Sequence, residues 1–477
     1  MKLKTHSIVS ALLLLLVVVA GWSISQVVRD KVVPPNVVLI VMDTVRQDAL
    51  STYGCSAQTS PNLSALAAGS RTYLNAYATS SWTSPSHASL FTGLYPVAHH
   101  CTQERWELSD RLVTMAEMLR TGGYETVAIV ENPVLTKESG FDQGFTRYHT
   151  VWKMEPESRG TKTDTTISLF NRTLDEQDKS RPFFVFVNLI GAHSPYNSSG
   201  RFMNRFVTDP TIRLNGNLWP LHYLGQRKFT SAELRHLRQL YNAELLAVDD
   251  ALGRMVEALR QRELLDNTVL VVTSDHGENI GDHGHMDHVF SLYETTVKIP
   301  LIIRYPSLFA PNSRHEGPVQ LTDLAPTLLG IVGVDSPDVP FQGHDLLGEQ
   351  ADPERLILCE YYKPLQAKRA MRRAPAKTVE EKLRPYDRRI RAVIRDSIKL
   401  IWGSDGRHEL YNLNRDPNEL HNLIDQPEYA ATQESLMAAM MTAITEYVRA
   451  PSDDEGEVDE ILDEKTREAL RSLGYLD

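Results

Sequence analysis

The sequence predicts an α/β fold with a mostly parallel sheet, and three observations predict it. Unbroken β-branched and aromatic runs recur along the chain, as strands buried on both faces require. Amphipathic helical patterns lie between them. Acidic residues and histidines stand at the ends of the runs, and open α/β sheets bind ligands outside the carboxyl ends of their strands.

The chain opens with "MKLKTHSIVSALLLLLVVVAGWSISQ" (1–26), where Lys2 and Lys4 precede an apolar run from Ile8 to Trp22. This order is that of an export signal. The run is short for a full span, yet it can serve as a single uncleaved N-terminal membrane anchor. Either reading puts the rest of the chain outside the cytoplasm, periplasmic or anchored and facing outward. No second run of this kind occurs in the sequence. The 477 residues allow about three units of domain size, or one large α/β domain with an appendage. A net charge of −11 argues against nucleic-acid binding, which needs a basic footprint. It leaves room for a locally positive site that takes a small anion. Three cysteines, Cys55, Cys101 and Cys359, make no disulfide scaffold and no metal-type spacing. A Cys55–Cys101 bridge and three separate thiols are both open.

The strands are read in order. "NVVLIVMD" (36–43) comes first, then "YETVAIVEN" (124–132), "RPFFVFVNLIGAH" (181–193), "NTVLVVTSDHG" (267–277) and "VKIPLIIRYP" (297–306). The clearest helix starts after Thr230, where Thr230 and Glu233 form a capping box. From about residue 345 the character changes. Residues 363–391 carry eleven Lys and Arg against three acids, read as a solvated surface insertion. A basic lid over the site is the sharper alternative. "RAVIRDSIKLIWG" and "HELYNL" read as short antiparallel strands, and a last helix starts near Thr432. The expected organisation is a signal or anchor at 1–26, a catalytic domain at 34–345, a C-terminal subdomain at 346–450, and an acidic tail with a terminal helix at 451–477.

Asp43, Asp275 and His276 end two of the buried runs. Charges in such places are costly unless they are paired or hold a metal. Two carboxylates and one imidazole suit Zn²⁺ or Mn²⁺, with Ca²⁺ or Mg²⁺ possible. A metal lowers the pKa of a bound hydroxyl, so a serine or threonine can attack near neutral pH. "SWTSPSHASLFTG" (81–93) offers such a hydroxyl. By itself the stretch is an ordinary polar turn. With the strand ends in view, Thr83 becomes the candidate nucleophile and fourth metal ligand, on a loop leading into a helix. The segment 274–294 contains His276, His283, His285 and His288 among acids and glycines, and reads as a ligand or substrate loop. His193, in "GAHSPY", is placed to bind a substrate oxygen or protonate a leaving group.

The order of "NVVLIVMDTVRQDALSTYG", "WTSPSHASLFTGLYP", "GAHSPY", "NTVLVVTSDHGENIGDHG", "LYETTVKIPLIIRYP" and "ELYNLNRDPNELHNL" resembles the sulfatase family, within the alkaline phosphatase superfamily. The likeness spans about residues 36–425. It implies a large α/β catalytic domain, a smaller C-terminal antiparallel sheet with a helix, and a divalent metal. It also exposes departures. The family has a cysteine or serine at position 83, followed by x-Pro-x-Arg, and converts it to formylglycine. Thr83 cannot be so converted, so no formylglycine is expected, and His87 stands in the arginine's place. Thr44 stands where a second metal-binding aspartate is usual, and His276 where many members have asparagine. His288 falls near a sulfate-binding lysine. The Asp, Thr, Asp, His set is similar to that of phosphoethanolamine transferases, lipoteichoic acid synthases and one half of the nucleotide phosphodiesterase site. One tight metal is expected, with a weak second site among His193, His283, His285 and His288.

The resulting expectation is cleavage of a phosphate or sulfate ester by metal-bound Thr83, the phosphoester slightly ahead. Asp43, Thr83, Asp275 and His276 hold the metal. His193 and His288 bind oxygens or assist the leaving group, and His87 and Asn132 contact substrate. The substrate is a small-molecule, glycan-linked or lipid-linked ester. A true sulfatase, a phospho-alcohol transferase working on envelope glycans, and a non-catalytic binder of sulfated or phosphorylated glycans are the alternatives.

Overall fold

The computed structural model describes residues 34–448, apart from 156–160, 215, 337–338, 349–354, 364, 370 and 372–374, together with Glu468. The signal or anchor at 1–26 and the acidic tail at 451–477 therefore lie outside the described residues. No helix among the described residues is long and apolar enough to cross a membrane.

The strands are β1 (Asn36–Met42), β2 (Arg71–Tyr77), β3 (Glu125–Val130), β4 (Arg147–Thr150), β5 (Phe183–Leu189), β6 (Thr268–Thr273), β7 (Asn279–Ile280), β8 (Met286–Asp287), β9 (Lys298–Arg304), β10 (Ser313–Gln320), β11 (Ile357–Tyr361), β12 (Ile390–Arg395), β13 (Ile398–Gly403) and β14 (Glu409–Asn412). Eight of them form one sheet in the order β10-β2-β9-β6-β1-β5-β3-β4. Seven run the same way, and β9 alone is antiparallel to both its neighbours. The run at 297–306 is thus a strand as expected, but a reversed one.

Each central strand is buried on both faces, which is why it reads as an unbroken apolar run. Alternate β1 residues feed two different cores. Val38, Ile40 and Met42 pack with Leu240, Leu252 and Met255 of the helix Ser231–Gln261. Val37, Leu39 and Val41 pack with Leu324, Leu328 and Leu329 of the helix Leu324–Val332. The long helix begins as its sequence requires. The Thr230 hydroxyl accepts from the Glu233 N–H at 3.2 Å, and the Thr230 N–H donates to the Glu233 carboxylate at 2.8 Å.

The C-terminal sheet is an antiparallel meander, β11-β12-β13-β14. Leu358, Val393, Leu400 and Leu410 bury one side of it against Leu436 and Met440 of the helix Ala430–Tyr447. Its other fastening is ionic. Lys399 on β13 is fully buried and pairs with Glu294 at 3.0 Å and Glu419 at 2.8 Å. In the stretch read as a surface insertion, the described residues include the helix Ala376–Leu383 and Tyr386, whose ring stacks on Phe290. The three cysteines are free thiols.

Candidate active site

β1 and β6 are parallel neighbours, with Val41 opposite Thr273. Two residues further on, Asp43 and Asp275 leave the sheet side by side, and both are fully buried. Asp43, Asp275 and His276 bring one ligand atom each to within 4.8 Å of one another.

Their surroundings hold these atoms in place. Asp43 Oδ2 accepts from Asn132 Nδ2 at 2.7 Å and Asn188 Nδ2 at 3.2 Å. Asp275 Oδ1 accepts from the N–H groups of Thr44 at 3.2 Å and His276 at 2.9 Å. The other oxygen of each, Asp43 Oδ1 and Asp275 Oδ2, is buried with no hydrogen-bond partner. Burial pushes the Asp275 pKa up, against the pull of His87. The His276 Nδ1–H donates to the Gly277 carbonyl at 3.0 Å, which leaves the lone pair on Nε2. Burial first, and His288 second, push the His276 pKa well down, so the ring is neutral.

Thr83 is the first residue of the helix Thr83–Thr92, not a loop residue, and is wholly buried. Its Oγ1 lies 3.3 Å from His276 Nε2. The positive end of the helix therefore faces the cluster. His87, one turn on, donates from Nδ1 to the Thr83 carbonyl at 2.9 Å and sits 3.6 Å from Asp275 Oδ2. Its ring packs edge-on to Phe91 and Phe186, beneath the cluster. Asn132, too, stands behind a ligand, since its amide is spent on Asp43 and the Val134 N–H. Thr44 does not aim at the cluster. Its hydroxyl donates to the Asp43 carbonyl at 2.7 Å, and its φ is +58°. That conformation is costly for a β-branched residue and here delivers the Thr44 N–H to Asp275.

His193 and His288 stand beside the cluster. Their ring centroids are 5.0 Å apart, and the His288 ring lies 4.5 Å from that of His276. The His193 Nδ1–H donates to the Ser194 carbonyl at 2.6 Å. Burial, then His288, lower its pKa. His288 is the opposite case. Burial would lower its pKa, but Asp287 at 3.0 Å and Glu278 at 3.5 Å from Nδ1 outweigh it and hold it well up. Burial, then Asp287, push Glu278 up to about 8. Neither Glu278 nor Asp287 was singled out in the sequence.

The loop histidines separate. His283 stacks on Tyr293 at 3.7 Å, and His285 Nδ1 bonds the Tyr223 hydroxyl at 3.1 Å. Among the residues expected at a second metal, His288 alone joins such a cluster, and its companions are Glu278 and Asp287.

The "Sulfatase" family model matches residues 35–334, and that for "N-sulphoglucosamine sulphohydrolase, C-terminal" matches residues 281–446. The N-acetylglucosamine-6-O-sulfatase of Bacteroides thetaiotaomicron is 24% identical over 92% of this chain and 91% of its own. The ulvan-active sulfatase of Formosa agariphila is 26% identical over 88% and 82%. A structure described as bound to its substrate D-glucosamine-2-N,6-O-disulfate superposes with a TM-score of 0.71 at 22% identity, covering 87% of this chain and 98% of the other. The phosphonate monoester hydrolase of Agrobacterium radiobacter gives 0.69 at 21% identity, covering 87% and 96%.

Proposed function

Because the chain belongs to the sulfatase family of ester hydrolases, we propose that it hydrolyses a sulfate ester of a sugar, with Thr83 as the attacking group. One observation carries this reading. The Thr83 hydroxyl reaches His276 Nε2 beside two buried carboxylate oxygens that have no partner. Those atoms fit a divalent metal, and Asp43, Asp275, His276 and Thr83 would hold it. Zn²⁺ or Mn²⁺ suits the donors better than Ca²⁺ or Mg²⁺. When bound, the ion lowers the pKa of the hydroxyl and polarises the ester.

Thr83 Oγ1 gives its proton to water and attacks sulfur, and the bond from sulfur to the alcohol oxygen breaks. His288, kept protonated by Asp287 and Glu278, donates a proton to that oxygen. Water then attacks the sulfated threonine. His193, with Nδ1 committed to Ser194, accepts the water's proton at Nε2. The bond from sulfur to Oγ1 breaks and sulfate leaves, the proton on His193 passes to Thr83 Oγ1, and the proton first released to water returns to His288. Opposite environments thus assign the acid and the base.

Relatives named for sulfated glucosamine and ulvan support sulfate over the phosphoester favoured by the nucleophile alone. A phosphoester or phosphonate is the second reading. It is favoured because threonine cannot become the family's aldehyde and because a phosphonate monoester hydrolase shares the fold. The basic and apolar N-terminus supports an exported site of action.

The test is turnover of p-nitrophenyl sulfate, p-nitrophenyl phosphate and bis-p-nitrophenyl phosphate by the Zn²⁺- or Mn²⁺-loaded protein beside Thr83→Ala. Sulfate turnover lost in the variant is expected. Phosphodiester turnover alone would replace the sulfate reading with the second one. Equal activity in both proteins would remove Thr83 from the mechanism.

A further inference from the structure

Behind the His288 ring lies a second group of ligands. Glu278, Asp287 and His288 offer atoms within 4.8 Å of one another, all from buried residues. A minimal hairpin assembles them. β7 and β8 pair Asn279 with Asp287, so Glu278 and His288 meet at its open end. Asp287 has a φ of +65°, and its Oδ1 lies 3.0 Å from His288 Nδ1. Glu278 Oε1 lies 3.5 Å from the same nitrogen. Metal bonds of about 2.0–2.2 Å set neighbouring ligand atoms roughly 3.0–3.5 Å apart, so the spacing already suits an ion.

Without one, buried polar atoms of this group go unanswered. Glu278 is fully buried, and neither of its oxygens has a hydrogen-bond partner. The guanidinium that approaches the hairpin, Arg46, spends its N–H groups on Asp48, Asp282 and the Glu278 carbonyl. Two carboxylates thus share one imidazole in a dry setting, which is costly unless a cation joins them. Asp287 also borders a small cavity with Ser194, Asn279 and Trp219, which offers a way in and room for water ligands.

We propose that Glu278, Asp287 and His288 Nδ1 bind a second divalent cation, making the centre binuclear. The two sites share a wall, because the His276 and His288 rings lie 4.5 Å apart. With the ion bound in place of the His288 Nδ1 proton, its positive charge takes over from that proton in making Nε2–H the acid for the leaving alcohol. Two carboxylates and an imidazole repeat the donor set of the first site and select the same metals.

Full-length protein, stripped with chelator and dialysed against Mn²⁺, is weighed for bound metal by mass spectrometry and examined by electron paramagnetic resonance. Two equivalents with a spin-coupled spectrum are expected. Glu278→Gln and Asp43→Asn each drop to one uncoupled equivalent, and the double variant to none. Asp287→Asn replaces Glu278→Gln should that protein not fold. One equivalent in the parent, kept in Glu278→Gln, overturns the proposal, as do two equivalents that Glu278→Gln leaves intact. One equivalent lost in Glu278→Gln but kept in Asp43→Asn upholds this site and removes instead the metal assigned to Thr83.

Discussion

Two buried charge clusters, one around Lys399 and one around Asp43 and Asp275, are built to opposite rules. At Lys399 two carboxylates meet a lysine within 3.0 Å, and the charges answer one another. At Asp43 and Asp275 two carboxylates meet a neutral histidine, and one oxygen of each is left without a partner. Both clusters are desolvated, so burial is not what separates structure from chemistry here. The closed cluster contains a cation of its own, whereas the carboxylates of the open one meet a neutral ring.

Four outcomes break or sharpen this contrast. The largest falls on the open cluster. Thr83→Ala lowers kcat by about 10³-fold or more, while thermal unfolding of the protein barely moves. A comparable loss of stability would recast Thr83 as a structural hydroxyl. Next comes the closed cluster. Lys399→Met leaves Glu294 and Glu419 buried without their cation and costs about 3–5 kcal/mol in urea unfolding. A loss below about 1 kcal/mol would mean that water enters there.

The third outcome concerns Glu244, a buried carboxylate that accepts from the Asn197 N–H. Burial raises its pKa to about 7. The folded state then holds a proton that the unfolded state has already released. Its contribution is whole below about pH 4.5 and is lost as pH rises through about 7, by roughly 2–3 kcal/mol. Glu244→Gln removes this slope, and a slope unchanged in the variant would assign it elsewhere. The smallest effect has the reverse sign. Asp275→Asn removes a charge that lacks an answer, so the metal-free protein gains about 1 kcal/mol while losing metal binding. Destabilisation would show that the open cluster is already satisfied by its neighbours.

The centre of the sheet was legible and its flanks were not, the inner strand β2 among the missed ones. β1, β3, β5 and β6 are unbroken apolar runs because helices cover both faces of the sheet. β4 and β10 lie at its two edges, and both carry half-exposed polar residues, with Pro318 inside β10. Their sequences look like loop. The reversal of β9 left no trace either, since an apolar run has no direction. In the site, the meeting of Asp43, Asp275 and His276 was readable because strand ends place them, whereas Thr83 was read on a loop and begins a helix. Glu278 and Asp287 were hidden by strands of two residues, too short for any periodicity. Four histidines in one segment drew notice, although His283 and His285 turn to Tyr293 and Tyr223.

The level placement of Asp43 and Asp275 on neighbouring strands has a consequence for how such a protein can change. The gap between their backbones is the pitch of the sheet, about 4.8 Å, a dimension that substitutions in surrounding loops do not alter. A slip of one residue between β1 and β6 would turn one carboxylate to the far face and abolish the gauge altogether. Changes in the segments around the site therefore leave the caliper formed by the two carboxylates at its setting.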